Sequence, residues 1–123
     1  MFQTFESSAR PEQGPPRVAA LRAQANRAHR QFLGSAGAAR RAVSAGAGAA
    51  RASDAWASAQ VALADLETQR SKTAIPLADL DILLAAQATR FDPVREIAEA
   101  RNAVAALVAQ EDRVLAGLRS RIR

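Results

Sequence analysis

The chain has 123 residues, a net charge of +5 and no cysteine; alanine makes up more than half of its 49% hydrophobic content, and aromatics are only 4%. One domain is the upper bound at this length, and disulfides, thiolate metal sites and cysteine catalysis are excluded. Alanine favours helix but buries little surface, so the expectation is thin helical packing or an oligomer rather than a thick globular core.

In chain order, residues 1–16 hold Pro11, Gly14, Pro15 and Pro16 and read as an irregular N-terminal segment. From there Val18, Leu21, Ala25, Ala28 and Phe32 recur at 3/4 spacing, which predicts a short amphipathic helix over 17–33. Residues 34–52 contain Gly34, Gly37, Gly46 and Gly48, each costing about 1 kcal/mol in a helix relative to alanine, and read as a Gly/Ala/Arg-rich linker. Charge is uneven: residues 1–53 carry eight arginines against Glu6 and Glu12. Arg40, Arg41 and Arg51 then form a basic arm suited to an anionic partner.

At Ser53 and Asp54, either of which can cap a helix, the texture changes. Trp56, Ala59, Leu63, Leu66, Arg70, Thr73, Leu77, Leu80, Leu84, Gln87 and Phe91 keep unbroken 3/4 spacing. The phase is the same on both sides of Pro76, which predicts one helix over about 54–90 with a kink near Lys72–Pro76. Ser71 and Thr73 are candidates to satisfy the backbone groups that the proline frees. In F-D-P-V-R-E, Asp92 is an N-cap and Pro93 suits the first helical position. Val94, Ile97, Arg101, Val104, Val108, Glu111, Leu115, Leu118 and Ile122 continue at 3/4 spacing. Two such helices joined by a short turn run antiparallel, so residues 53–123 read as an antiparallel coiled-coil helical hairpin. Facing Phe91 with Val94 pairs Leu84 with Arg101, Leu80 with Val104, Thr73 with Glu111 and Leu63 with Ile122. In that register Arg70 and Glu111 make the polar contact that sets the pairing. Trp56 overhangs the hairpin and needs cover, from Phe32 or Leu21 or from a second chain.

Catalytic candidates are few. The lone histidine, His29, lies between Arg27 and Arg30 with no acid at helical spacing, and is expected on a solvated helix face. Of the acid pairs Asp65/Glu67, Asp79/Asp81, Glu96/Glu99 and Glu111/Asp112, only Glu96/Glu99 share a helix face, and a two-helix hairpin offers no dry pocket to separate their pKa values. No metal-ligand set and no cofactor motif is present. The Gly-rich run lacks the G-K-[ST] ending of a phosphate loop.

Two resemblances cover different parts. The run F-E-S-S-A-R-P-E-Q-G-P-P-R-V-A-A-L-R-A, within the first 23 residues, is similar to the N-terminal start of Xaa-Pro aminopeptidase (aminopeptidase P). That family continues into an α/β domain and a catalytic domain with two metal ions held by Asp, Asp, His, Glu and Glu. No residue of this chain matches those ligands, so none is carried over. S-D-A-W-A-S-A-Q-V-A-L-A-D-L-E, A-D-L-D-I-L and F-D-P-V-R-E-I-A-E-A-R-N-A-V-A-A-L-V-A-Q-E-D-R-V, within residues 53–123, resemble a group of alphaproteobacterial helical proteins of envelope type with no assigned activity. That resemblance implies a periplasmic or envelope location for relatives. The chain as given shows no basic-then-apolar leader, so a cytoplasmic location is expected for it. Together the two resemblances raise a fused or chimeric origin.

The expectation is therefore an all-α, non-enzymatic structural or protein-interaction module without cofactor or membrane span. It self-associates or meets another helical protein through Trp56, Leu63, Leu66 and Phe32. The alternatives are a basic arm on nucleic acid or an anionic surface, and an inactive relative of the aminopeptidase.

Overall fold

The structure is a computed structural model that describes residues 17–86 and 93–122. Among them are three helices and no strand: α1, Arg17–Ala47; α2, Asp54–Ala85; and α3, Val94–Ile122. The expectations placed on residues 1–16 and on Gln87, Phe91 and Asp92 lie outside the described residues.

α1 does not stop at residue 33. It runs 31 residues, through Gly34 and Gly37, and turns what reads as a linker into its second half. The reason is a buried stripe that never lapses: Phe32 0%, Ala36 1%, Ala39 2% and Val43 0% exposed. Gly34 and Gly37 together cost about 2 kcal/mol, while full burial of Val43 alone contributes about 1.5–3 kcal/mol. Tertiary packing outweighs local propensity here. Only residues 48–53 remain as connection, closed by Ala49 N–H to Gly46 O at 3.1 Å and Ser53 N–H to Ala50 O at 2.9 Å.

Ser53 starts α2. Its backbone is extended (φ −81°, ψ 157°) and its hydroxyl accepts the Trp56 N–H at 3.1 Å. Asp54 adds an acid to the first turn, where the helix dipole favours it. α2 continues unbroken through Pro76, which is itself buried in the core. Neither nearby hydroxyl turns to the Lys72 carbonyl that Pro76 leaves without its N–H: Ser71 Oγ donates to Glu67 O at 3.1 Å, and Thr73 Oγ1 lies 3.4 Å from Gln69 O. Ala86 closes the helix by donating to Ile82 O at 3.1 Å.

Cross-links set the directions. α2 and α3 are antiparallel, with Arg101 against Asp81 at 2.8 Å near one end and Arg119 against Glu67 near the other. α1 is antiparallel to α2, with Ser35 bonded to Gln69 at 3.0 Å and Gly46 against Ala55 and Ala59. α1 and α3 run the same way, since His29 meets Glu111 and Ser44 meets Arg121. The result is an up-down-up bundle of three helices, so each apolar cluster needs all three. One holds Phe32, Ala39 and Val43 of α1, Ala59, Leu63 and Leu66 of α2, and Leu115, Leu118 and Ile122 of α3. The other holds Val18, Leu21 and Ala25, then Leu80 and Leu83, then Ile97, Ala100 and Val104.

Gly46 is needed where α1 meets α2. A Cβ there would lie 2.8 Å from Ala55 O, 2.8 Å from Ala59 Cβ and 3.1 Å from Ile122 Cδ1. A side chain of any size would push the two helix ends apart.

Candidate functional site: a buried polar layer and an arginine face

Between the two apolar clusters each helix contributes one polar side chain to the interior. His29 of α1, Thr73 of α2 and Glu111 of α3 are 8%, 0% and 0% exposed. His29 Nδ1 lies 2.7 Å from Glu111 Oε2, and the Thr73 hydroxyl donates to the same oxygen at 2.9 Å. Glu111 Oε1 is buried with no hydrogen-bond partner. Burial raises the Glu111 carboxyl above its ordinary range, and the hydrogen bonds from His29 and Thr73 pull back against it.

Two expectations are corrected by this layer. His29 is not on a solvated face; its acid arrives from 82 residues away, beyond the reach of helical spacing. Glu111 is not the partner of Arg70. Arg70 Nε donates to Asp112 Oδ1 at 2.8 Å and Nη2 to Asp112 Oδ2 at 3.2 Å, on the outside of the bundle. The heptad read Arg70 as a seam residue, yet its long stem lets the guanidinium reach the solvent edge, where desolvation is small. Glu111, one position earlier and pointing inward, is left to the histidine. Likewise Arg101, expected against Leu84, turns outward to Asp81.

The side chains expected to face a partner lie elsewhere. Phe32, Leu63 and Leu66 are 0%, 5% and 0% exposed, all within one cluster of the chain's own core, so they offer no surface to another chain. Trp56 is half-buried against that cluster, which also holds Val43 and Ile122. Leu21 belongs to the opposite cluster and does not cover it. The Arg51 guanidinium stands 5.9 Å from the Trp56 ring centroid, within cation–π range.

Arg40 and Arg41 are exposed, but on a helix rather than a flexible arm. They belong to a larger set that the sequence split between a helix and a linker. α1 carries Arg17, Arg22, Arg27, Arg30, Arg40 and Arg41 and no Asp or Glu. Arg30 and Arg41 are three turns apart on one line of the cylinder, and Arg22 and Arg40 are five turns apart on another. Among the described residues, the arginine–carboxylate pairs join α2 to α3 or lie within α3 (Arg70–Asp112, Arg101–Asp81, Arg119–Glu67, Arg95–Glu99). Arg22, Arg27, Arg30, Arg40 and Arg41 take part in none of them.

No helix of the described residues is long and apolar enough to cross a membrane. Comparison with protein-family models, with curated proteins and with solved structures gave no match.

Proposed function

We propose that this chain is a non-enzymatic helical interaction module whose working surface is the arginine face of α1, and that its partner is a phosphate-bearing polymer such as nucleic acid. The observation that carries this reading is the segregation of charge. Five exposed arginines, spread over about 28 Å of helix from Arg22 to Arg41, meet no carboxylate among the described residues, whose acids sit on α2 and α3. Guanidinium groups bind phosphate through paired N–H donors, and a row of them tracks a charged backbone without reading its sequence. α1's apolar stripe is already buried in the bundle, so it is not free to sink into a lipid surface as an amphipathic membrane helix would. The polar layer supports a non-catalytic reading. Its threonine hydroxyl and carboxylate are both 0% exposed, closed in by all three helices, so neither reaches a surface where a substrate could bind.

The test is fluorescence anisotropy with a labelled DNA duplex across a salt series, alongside anionic lipid vesicles. Binding to the duplex should weaken steeply with salt, with a log–log slope of roughly −4.5 if about five phosphates are neutralised. Arg30→Glu with Arg41→Glu should abolish it. Absence of duplex binding at low salt, or binding to vesicles alone, overturns the reading.

A further inference from the structure

α2 is apolar on two opposite sides. Its inner side fills the bundle through Ala59, Leu63, Leu66, Thr73, Pro76 and Leu80. On its outer side Asp54, Ala57, Val61, Ala64, Thr68, Ser71, Ile75, Ala78, Ile82 and Ala85 follow one another at alternating spacings of three and four, and every one is exposed. Val61, Ile75 and Ile82 are 69%, 54% and 67% exposed, among the largest apolar exposures on the chain. This is a second complete heptad seam, with no neighbour in the bundle. Its composition is regular: the first position of each heptad after Asp54 is β-branched (Val61, Thr68, Ile75, Ile82), and the fourth is always alanine or serine (Ala57, Ala64, Ser71, Ala78, Ala85).

We infer that this face pairs with the same face of a second copy, the two α2 helices running antiparallel about a twofold axis near Thr68–Ser71. In that arrangement large meets small at every layer: Val61 faces Ala78, Ile75 faces Ala64, Ile82 faces Ala57, and Thr68 faces Ser71. A parallel pair would instead set Ile75 on Ile75 and Ala78 on Ala78, alternately wedging the helices apart and leaving gaps. Even spacing along a straight seam is available only to the antiparallel pair, and such a surface is self-complementary, as twofold association requires.

Two further observations select a second copy as the occupant. A groove on the outer side of α2 is lined by Asp54, Ala57, Ser58 and Val61, with Ala62 and Asp65 beside them. Those first four residues have the i, i+3, i+4, i+7 spacing of a coiled-coil hole, and the antiparallel register delivers Ile82 of the second copy as its knob. Charge agrees. Lys72, the chain's single lysine, is exposed beside the seam and makes no ion pair among the described residues. The antiparallel register sets it next to Asp65 of the other copy, twice per dimer. Among the described residues Asp65 engages only Gln69, through Oδ2 at 2.9 Å.

The experiment is sedimentation equilibrium on the full chain across a concentration series. The expected species has twice the 13.0 kDa mass of one chain. Val61→Glu with Ile75→Glu should return it to one chain mass at every concentration while circular dichroism stays helical. Asp65→Lys alone and Lys72→Asp alone should each weaken the dimer severalfold, and the two together should restore it; this readout also holds if the glutamate variant fails to fold. Because the chain has no cysteine, mixing Thr68→Cys with Ser71→Cys protein should give the oxidised cross-link between the two variants. A monomer at all concentrations, a dimer insensitive to the glutamates, or preferential cross-linking of each variant to itself would overturn the proposal.

Discussion

At Glu111 a carboxylate with no exposed surface shares one oxygen between an imidazole and a hydroxyl, while its other oxygen meets no donor. Such a group destabilises its surroundings whenever a partner is lost. His29→Ala removes the ring and leaves the carboxylate buried with Thr73 alone; the expected loss is about 3 kcal/mol in urea unfolding. Replacing the whole layer (His29→Leu, Thr73→Val, Glu111→Leu) should recover that loss and reach wild-type stability or exceed it by about 1–4 kcal/mol. The layer also has a pH signature. The native state holds the Glu111 proton more tightly than the unfolded chain, whose value is 4.5, so this group's contribution to stability is full below that value and is lost as pH rises through the raised folded pKa. Glu111→Gln removes the effect. The gap in urea midpoint between wild type and variant should shift against the wild type from pH 4.5 toward neutrality, and a constant gap would contradict it. The sequence set Glu111 opposite Thr73 in the seam, and that pair is hydrogen-bonded; it missed His29, because imidazole and acid lie on different helices, out of reach of i±3 and i±4 spacing. The available signal was the run Ala25, His29, Phe32: a polar residue inside an apolar stripe.

Elements were legible where periodicity was dense and side chains were large. α2 and α3 could be read from leucine, isoleucine and valine positions, and Ser53 from its capping chemistry. The second half of α1 was not, because its buried stripe is made of Ala36, Ala39, Val43 and Gly46, which composition alone cannot separate from a flexible run. The glycines there are not equivalent. A Cβ at Gly34 meets nothing within 4 Å, and one at Gly37 meets only Arg41 Nη1 at 3.7 Å. Gly34→Ala and Gly37→Ala should each raise stability by up to about 1 kcal/mol in denaturant unfolding. Gly46→Ala forces the α1 and α2 ends apart and should lower it by about 1–3 kcal/mol. Equal effects at Gly34 and Gly46 would mean that the close approach does not hold in solution. On α2, one heptad pattern was visible because it carries leucines; the outer pattern hid behind its alanines and serines.

At the scale of the whole molecule, the two-helix unit expected from residues 53–123 is incomplete. α1 supplies Phe32, Ala39 and Val43 to one cluster and Val18, Leu21 and Ala25 to the other. It also supplies the imidazole that faces Glu111. Residues 54–122 without α1 should therefore lose the cooperative thermal transition that the full chain shows by circular dichroism. A sharp transition in that fragment would restore the hairpin as an independent unit. Charge is organised at this scale too. Bridges between α2 and α3 neutralise much of one side, at up to about 1 kcal/mol each for such exposed pairs, and α1 keeps Arg22, Arg27, Arg30, Arg40 and Arg41 for solvent or a partner.

The polar layer also cuts the hydrophobic interior in two. Phe32 to Ile122 on one side and Val18 to Val104 on the other hold together without sharing a buried side chain across His29, Thr73 and Glu111. Each end of the bundle is thus a candidate foldon, able to open and reclose while the other stays shut. Native-state hydrogen exchange would register this as two protection classes along every helix, changing over near His29 in α1, Thr73 in α2 and Glu111 in α3. A ligand gripping Arg40 and Arg41 would then quieten one end of the rod and leave the other breathing.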